Sequence, residues 1–140
     1  MKWIIGVLLV AVLVVLTGYT PVYLRRQRVE LRDHVVTVER AVTSYQRKRG
    51  LMFRDTLPDG AGMLLTYATD GVRAIWMHNM RFSIDAVWIN ANNQVVDLAE
   101  EMLPEKDTHT GSAPAQYVLE LPAGTVAAYG IVVGDTVAWR

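Results

Sequence analysis

Trp76-Met77-His78-Asn79-Met80, followed after four residues by Asp85, concentrates chemically capable side chains in ten positions. An indole can stack on a ring, an imidazole can carry a proton or a metal, and thioethers are soft metal donors. The amide and the carboxylate can orient a polar ligand. Further along the chain stand Arg49, Arg54 and Glu120. Glu120 lies between apolar neighbours, where a carboxylate is costly unless it is paired. A guanidinium can bind a carboxylate or phosphate through two parallel hydrogen bonds. Arg49, Arg54, Trp76, Asn79, Asp85 and Glu120 are therefore the candidate ligand-binding residues. Each also has a structural reading. Trp76 reads as core or its edge, Asn79 and Asp85 as turn ties, and Glu120 as the partner of Arg49 or Arg54 in an ion pair.

Those residues need elements to position them, and the pattern downstream of residue 33 is that of short strands. His34–Val38 is rich in β-branched residues, and Ala41–Tyr45 pairs with it or continues as a second strand. Gly50–Arg54 reads as a turn or a single helical turn, and Pro58-Asp59-Gly60 as a turn. Gly62–Tyr67 is predicted as a strand, Asp70-Gly71 as a turn, and Val72–His78 as the strand delivering the Trp76 cluster. In a regular strand Trp76, His78 and Met80 share one face, with Met77 and Asn79 on the other. Asp85–Ile89 and Gln94–Leu98 form a hairpin across Asn90–Asn93. Glu100–Ala113 reads as a polar loop, Gln116–Leu121 as a strand, Thr125–Tyr129 as one helical turn, and Thr136–Trp139 as the last strand. The predicted fold is mainly β: a compact antiparallel sandwich or small barrel with one or two short helical turns. It occupies residues 34–140.

The amino-terminal part differs. No charge occurs between Lys2 and Arg25, a run of 22 residues, and about 20 apolar residues span a bilayer as a helix. Thr17–Pro21 makes a poor cleavage site. Residues 1–24 are expected to form a single transmembrane anchor or uncleaved signal, meeting membrane lipid through residues 3–24, with 25–33 as a basic linker. A single-pass membrane protein with an extracytoplasmic domain follows. Against that orientation, Arg25, Arg26 and Arg28 favour a cytoplasmic face by the positive-inside rule.

Charge is unevenly distributed. Residues 1–54 hold 10 Lys/Arg against 3 Asp/Glu, and residues 55–140 hold 4 against 11. The basic part lacks interleaved aromatics and the folded part is acidic, so nucleic acid is not an expected partner. The partner is a small ligand or an envelope protein. With no cysteine, disulfides, thiolate metal sites and cysteine nucleophiles are excluded. Met52, Met63, Met77, Met80 and His78 form a soft donor set suited to Cu(I), but methionine more often fills core gaps. His34, His78 and His109 lack zinc-ligand spacing. Neither a metal nor a cofactor is expected. No hydrolase triad context or phosphate loop is present.

Arg49–Arg54, Leu57-Pro58, Gly62–Leu65, Trp76–Met80 and Ser83–Asp85, followed by Tyr117–Gly124 and Gly134-Asp135, resemble the successive motifs of the domain of unknown function 192 family. The order and spacing match from about Val36 to Val137. The resemblance departs at Met80, where the family usually carries Thr or another small residue, and at Ile84, where it carries Leu. It implies a compact β-rich domain behind an export signal or anchor, and supplies no reaction or catalytic residue. The functional expectation is a membrane-anchored binding or accessory module at the cell envelope. One alternative is an enzyme using Asp85 or Glu120 as acid or base. The other is a purely structural scaffold.

Overall fold

The computed structural model describes residues 24–140. Nine strands and two short helices follow one another: β1 (Arg25–Leu31), β2 (His34–Ala41), α1 (Ser44–Arg49), β3 (Ala61–Gly71), β4 (Ala74–Trp76), β5 (Ile84–Ile89), β6 (Val95–Met102), β7 (Thr108–Thr110), β8 (Ala115–Pro122), α2 (Thr125–Tyr129) and β9 (Val137–Trp139). Seven strands form one sheet in the order β6-β5-β8-β3-β2-β1-β9, while β4 and β7 pair separately. The sheet curls into a half-barrel. Its two edges approach where Val137 N donates to Asn93 O at 2.8 Å and Gly134 N donates to Val95 O at 2.8 Å. The fold is mainly β, as expected, but neither a sandwich nor wholly antiparallel.

The exception to antiparallel pairing is β2 with β3, which run parallel. Parallel neighbours need a crossover of about a dozen residues or more, and residues 42–60 supply it. This is why Ala41–Tyr45 does not continue as a strand. Thr43 caps α1 instead: its side chain accepts from Gln46 N at 3.1 Å, and Gln46 Oε1 accepts from Thr43 N at 3.0 Å. This reciprocal capping box satisfies two backbone donors at the helix start.

The middle of the sheet, in β3, β5 and β8, is buried on both faces, because each face has its own cover there. Val29, Val38, Leu64, Val87, Leu119 and Leu121 point to one core, closed by Val126 of α2 and Ile131. Met63, Leu65, Ala86, Trp88 and Val118 point to the other, closed by Leu51, Ile75, Met77 and Met80. Strand β5 is buried at all six positions, as a strand sandwiched between two covers should be.

Three further expectations are corrected. Residues 25–31 of the supposed linker form β1, which pairs along its length with β2 and at its end with β9. The Glu100–Ala113 loop contains the end of β6 and all of β7, which pairs with β4. The strand predicted over Val72–His78 is shortened to Ala74–Trp76. Beyond it the chain turns, with Asn79 at φ 56°, so the regular alternation ends and Met77 and Met80 are both buried. The expected membrane span over residues 3–24 lies, apart from Leu24, outside the described residues. Among those described, no helix is long and apolar enough to cross a membrane.

Candidate functional site

A cleft of about 250 Å³ opens on the second face of the sheet, under the crossover. One wall is α1, whose last turn carries Arg47, Lys48 and Arg49. Gly50 ends the helix at φ 47°, a conformation that side-chain-bearing residues rarely adopt. The other wall is β4, with Trp76 at the mouth and Ile75 within. Leu51, Met52, Leu65 and Met80 supply apolar lining, and Tyr67 flanks it.

Glu120 forms the floor. Its place follows from register: Met63 of β3 and Ala86 of β5 stand opposite it on the two neighbouring strands, so all three face the cleft side. The residue is only 6% exposed. Its Oε2 is buried and finds no hydrogen-bond partner among the described residues. A Cβ placed on Gly50 would lie 3.7 Å from that oxygen, so the end of α1 closes down on the carboxyl group. Burial pushes the Glu120 pKa from 4.5 up to about 7, against a lowering influence from the Arg54 charge.

The expected ion pair between Glu120 and Arg49 or Arg54 does not form. Arg54 Nη1 instead lies 2.5 Å from Glu39 Oε2. Arg49 is exposed, with its guanidinium 5.6 Å from the centre of the Phe53 ring. Arg47 donates to the carbonyls of Val42 and Thr66 and lies 4.5 Å above the Tyr67 ring. Burial raises the Tyr67 pKa, while Arg47 and Arg73 work in the opposite direction. Arg47, Lys48 and Arg49 all lack an ion-pair partner among the described residues, but Arg47 is committed to those carbonyls, which leaves Lys48 and Arg49 as the exposed rim cations.

Trp76 is not core. It is 49% exposed, with its indole tilted against the His78 ring at 5.3 Å. The turn after it is held by three residues with positive φ: Phe53 at 66°, Asn79 at 56° and Glu105 at 60°. Phe53 N donates to Asn79 O at 3.0 Å, Asn79 N donates to Glu105 Oε1 at 2.6 Å, and Glu105 N donates to Met77 O at 2.9 Å. Three separate loops are thereby tied together beside the cleft mouth. Non-glycine residues in this conformation store strain, which this network offsets. Asn79 therefore works chiefly through its backbone, as the hub of that tie.

Of the six candidates, Arg49, Trp76 and Glu120 line the cleft, Arg54 and Asn79 lie outside its lining, and Asp85 stands apart from all five. It opposes Leu121 and faces the first core, across the sheet from Glu120. It is fully buried, accepting from Glu101 N and Val126 N, each at 2.8 Å. Both oxygens are occupied in holding β6 and the start of α2. The structural reading of Asp85 is the one that fits, and it has no part in the cleft.

Sequence reasoning overlooked Lys48, Tyr67 and Gly50 as site components. The basic turn Arg47-Lys48-Arg49 was a usable signal once α1 was recognised from Thr43 and Gln46. Nothing local marks Tyr67, which reaches the cleft through its strand's position in the sheet. Of the soft donor set, Met52 and Met80 line the cleft, whereas Met63 and Met77 pack in the core and His78 lies 3.1 Å from Glu105. Among the described residues, no group of three or more His, Asp or Glu is arranged to hold a metal ion.

Fold and site together define a β half-barrel whose helical crossover roofs a small cleft with a buried acid at its base. The chain belongs to the DUF192 family, described as "Uncharacterized ACR", whose model matches residues 27–139. A UPF0127 protein of Thermococcus kodakarensis is 28% identical over 102 residues, covering 73% of this chain and 64% of the relative. A UPF0127 protein of Pyrococcus furiosus is 37% identical over 61 residues, covering 44% of this chain and 51% of the relative. The chain thus spans between about half and two thirds of the length of these curated relatives. Among solved structures, a Sinorhizobium meliloti 1021 protein provisionally described as a transcription regulator superposes with a TM-score of 0.82 at 32% identity. It matches over 86% of this chain and 98% of that one. A protein of unknown function from Novosphingobium aromaticivorans gives a TM-score of 0.76 at 29% identity, over 86% and 90% of the two chains.

Proposed function

We propose that this domain is a binding module for a small polar anion, which enters the cleft between α1 and β4 and is held at its base by Glu120. The observation that carries the reading is Glu120 Oε2, buried at the floor of a cleft without a partner among the described residues. An unsatisfied buried polar atom costs about 1–3 kcal/mol, and a ligand bringing a hydroxyl or amine to that oxygen recovers it. Lys48 and Arg49 at the rim supply positive charge for the ligand's acidic group. Trp76 offers a flat apolar wall for its carbon skeleton. Ligand pockets of about 300–1,000 Å³ suit drug-sized molecules, so a cleft of about 250 Å³ fits a metabolite the size of a hydroxy- or amino-carboxylate.

The module is tethered to the membrane through residues 3–24 and works at the cell envelope, with its domain on the extracytoplasmic side. The uncharged run between Lys2 and Arg25 supports the tether. Arg25, Arg26 and Arg28 favour the opposite side. Labelling intact cells with an impermeant maleimide at Ser112→Cys, an exposed position, decides between them. Lys2→Cys labels the other side as the control.

The ligand reading is tested by thermal shift against a panel of small hydroxy- and amino-carboxylates. The expected result is a compound that stabilises the wild type and fails to stabilise Glu120→Leu or Trp76→Ala. A panel that shifts all three proteins equally, or none, counts against the cleft. One observation also favours an acid–base enzyme: a carboxyl group with a pKa near 7 inside a cleft is suited to proton transfer. Glu120 is the acid or base in that version, since Asp85 faces away. Conversion of the bound compound to a new species, seen by mass spectrometry and lost in Glu120→Gln, distinguishes enzyme from binder.

A further inference from the structure

The chain enters the folded domain at Leu24, which packs against the second core on the cleft side of the sheet. β1 begins one residue later, at Arg25. Register then fixes what else lies at this end. Arg25 stands opposite Arg40, and Arg26 opposite Glu39. β2 ends at Ala41, immediately after Arg40, and α1 follows after two more residues. The start of β1 and the start of the crossover are therefore neighbours, with adjacent strands about 4.8 Å apart.

This end has an unusual surface. Val42 and Tyr45 are 49% and 60% exposed, and α1 buries none of its own residues. Tyr45, Lys48 and Arg49 fall on one side of the helix, three and four positions apart. Arg25, Arg26, Lys48 and Arg49 are exposed and make no ion pair among the described residues. Acidic side chains on the neighbouring strands are engaged elsewhere. Glu39 is held by Arg54 and Glu30 by Arg140, while Asp70 Oδ1 accepts from Ala91 N. An exposed tyrosine and valine ringed by unpaired cations is the composition of a surface that rests at a lipid–water boundary.

We infer that Arg25, Arg26, Val42, Tyr45, Lys48 and Arg49 form a docking face for an anionic lipid bilayer. The face rests on the tethered reading above, because it surrounds the point at which residues 1–23 join the domain. A tether ending one residue before β1 leaves the domain no slack. At about 3.4 Å per extended residue, Arg25 and Arg26 lie within a few ångströms of wherever the span leaves the membrane. Docking holds the domain with the Lys48 and Arg49 rim of its cleft close to the head groups, so ligands reach the cleft along the membrane surface.

The test uses the full chain, whose lack of cysteine allows one to be placed at will. Val42→Cys carries an environment-sensitive nitrobenzoxadiazole probe, and Asp59→Cys, exposed in the loop that precedes β3, carries it as the control. Each protein is reconstituted into vesicles of phosphatidylcholine, with or without phosphatidylglycerol. The expected result is a blue-shifted, brighter emission at position 42 in the anionic vesicles only, reversed by molar salt as charge is screened, with position 59 unchanged. Reversing Arg25, Arg26, Lys48 and Arg49 to Glu abolishes the shift. Equal emission at position 42 in neutral and anionic vesicles overturns the docking face. Vesicle flotation is read in parallel. A chain that floats with neither lipid refutes both tether and face, whereas flotation with anionic vesicles alone upholds the face and refutes the tether.

Discussion

Replacing Glu120 with Gln reads out the electrostatics of the cleft floor without changing its shape. Burial raises the folded-state pKa to about 7 from the ordinary 4.5. Between those values the native protein keeps a proton that the unfolded chain has released. Native proton uptake exceeding that of the unfolded state means that stability falls as pH rises. The loss begins near 4.5, grows through this window and is complete once pH passes about 7. The gap corresponds to roughly 3 kcal/mol. For a folded part of this size, with roughly 4 °C per kcal/mol, the melting temperature falls by on the order of 10 °C. Gln mimics the neutral carboxyl and titrates nowhere in the range. Glu120→Gln should therefore match the wild type at pH 4.5 and exceed it by that amount at pH 8. The assay is tryptophan-detected thermal unfolding of both proteins in mild detergent across pH 4.5–8. The two proteins differ at this one side chain, so every contribution they share cancels in the difference. Parallel profiles would refute the reasoning, since they mean that the buried carboxylate already has a partner for its charge.

Three further outcomes follow from the geometry. Asp85→Ala leaves the Val126 and Glu101 backbone donors unpaired in or near the core, and should cost about 2–4 kcal/mol in urea unfolding. It should leave any ligand affinity of the molecules that remain folded intact. Trp76→Ala removes a half-exposed side chain, so its stability should change by less than about 1 kcal/mol, while ligand-induced thermal stabilisation disappears. Gly62→Ala places a Cβ 2.7 Å from the backbone oxygen of Glu120. Two paired strands must separate to admit it, and a destabilisation of about 1–3 kcal/mol is expected in the same urea assay.

The sequence by itself determined much of the strand inventory. Turn residues at Pro58-Asp59-Gly60, Asn90–Asn93 and Gly134-Asp135 punctuate β-rich runs, and local backbone preference is strong enough there to be legible. The family motifs were legible for the same reason, being contiguous in the chain. It also determined that Glu120 is anomalous, because a carboxylate amid alternating apolar residues of a strand must either find a partner or titrate late. Tertiary structure decided the rest. Which face of the sheet Glu120 and Asp85 point to depends on pairing with β3, β5 and β8, and pairing is not written in either residue's neighbourhood. The parallel β2–β3 pair was hidden because a six-residue helix has too little periodicity to announce a crossover. Arg54 was a reasonable partner for Glu120 on charge alone. Only the fold shows that Glu39, on the same face, takes it first and leaves the deeper carboxyl unpaired.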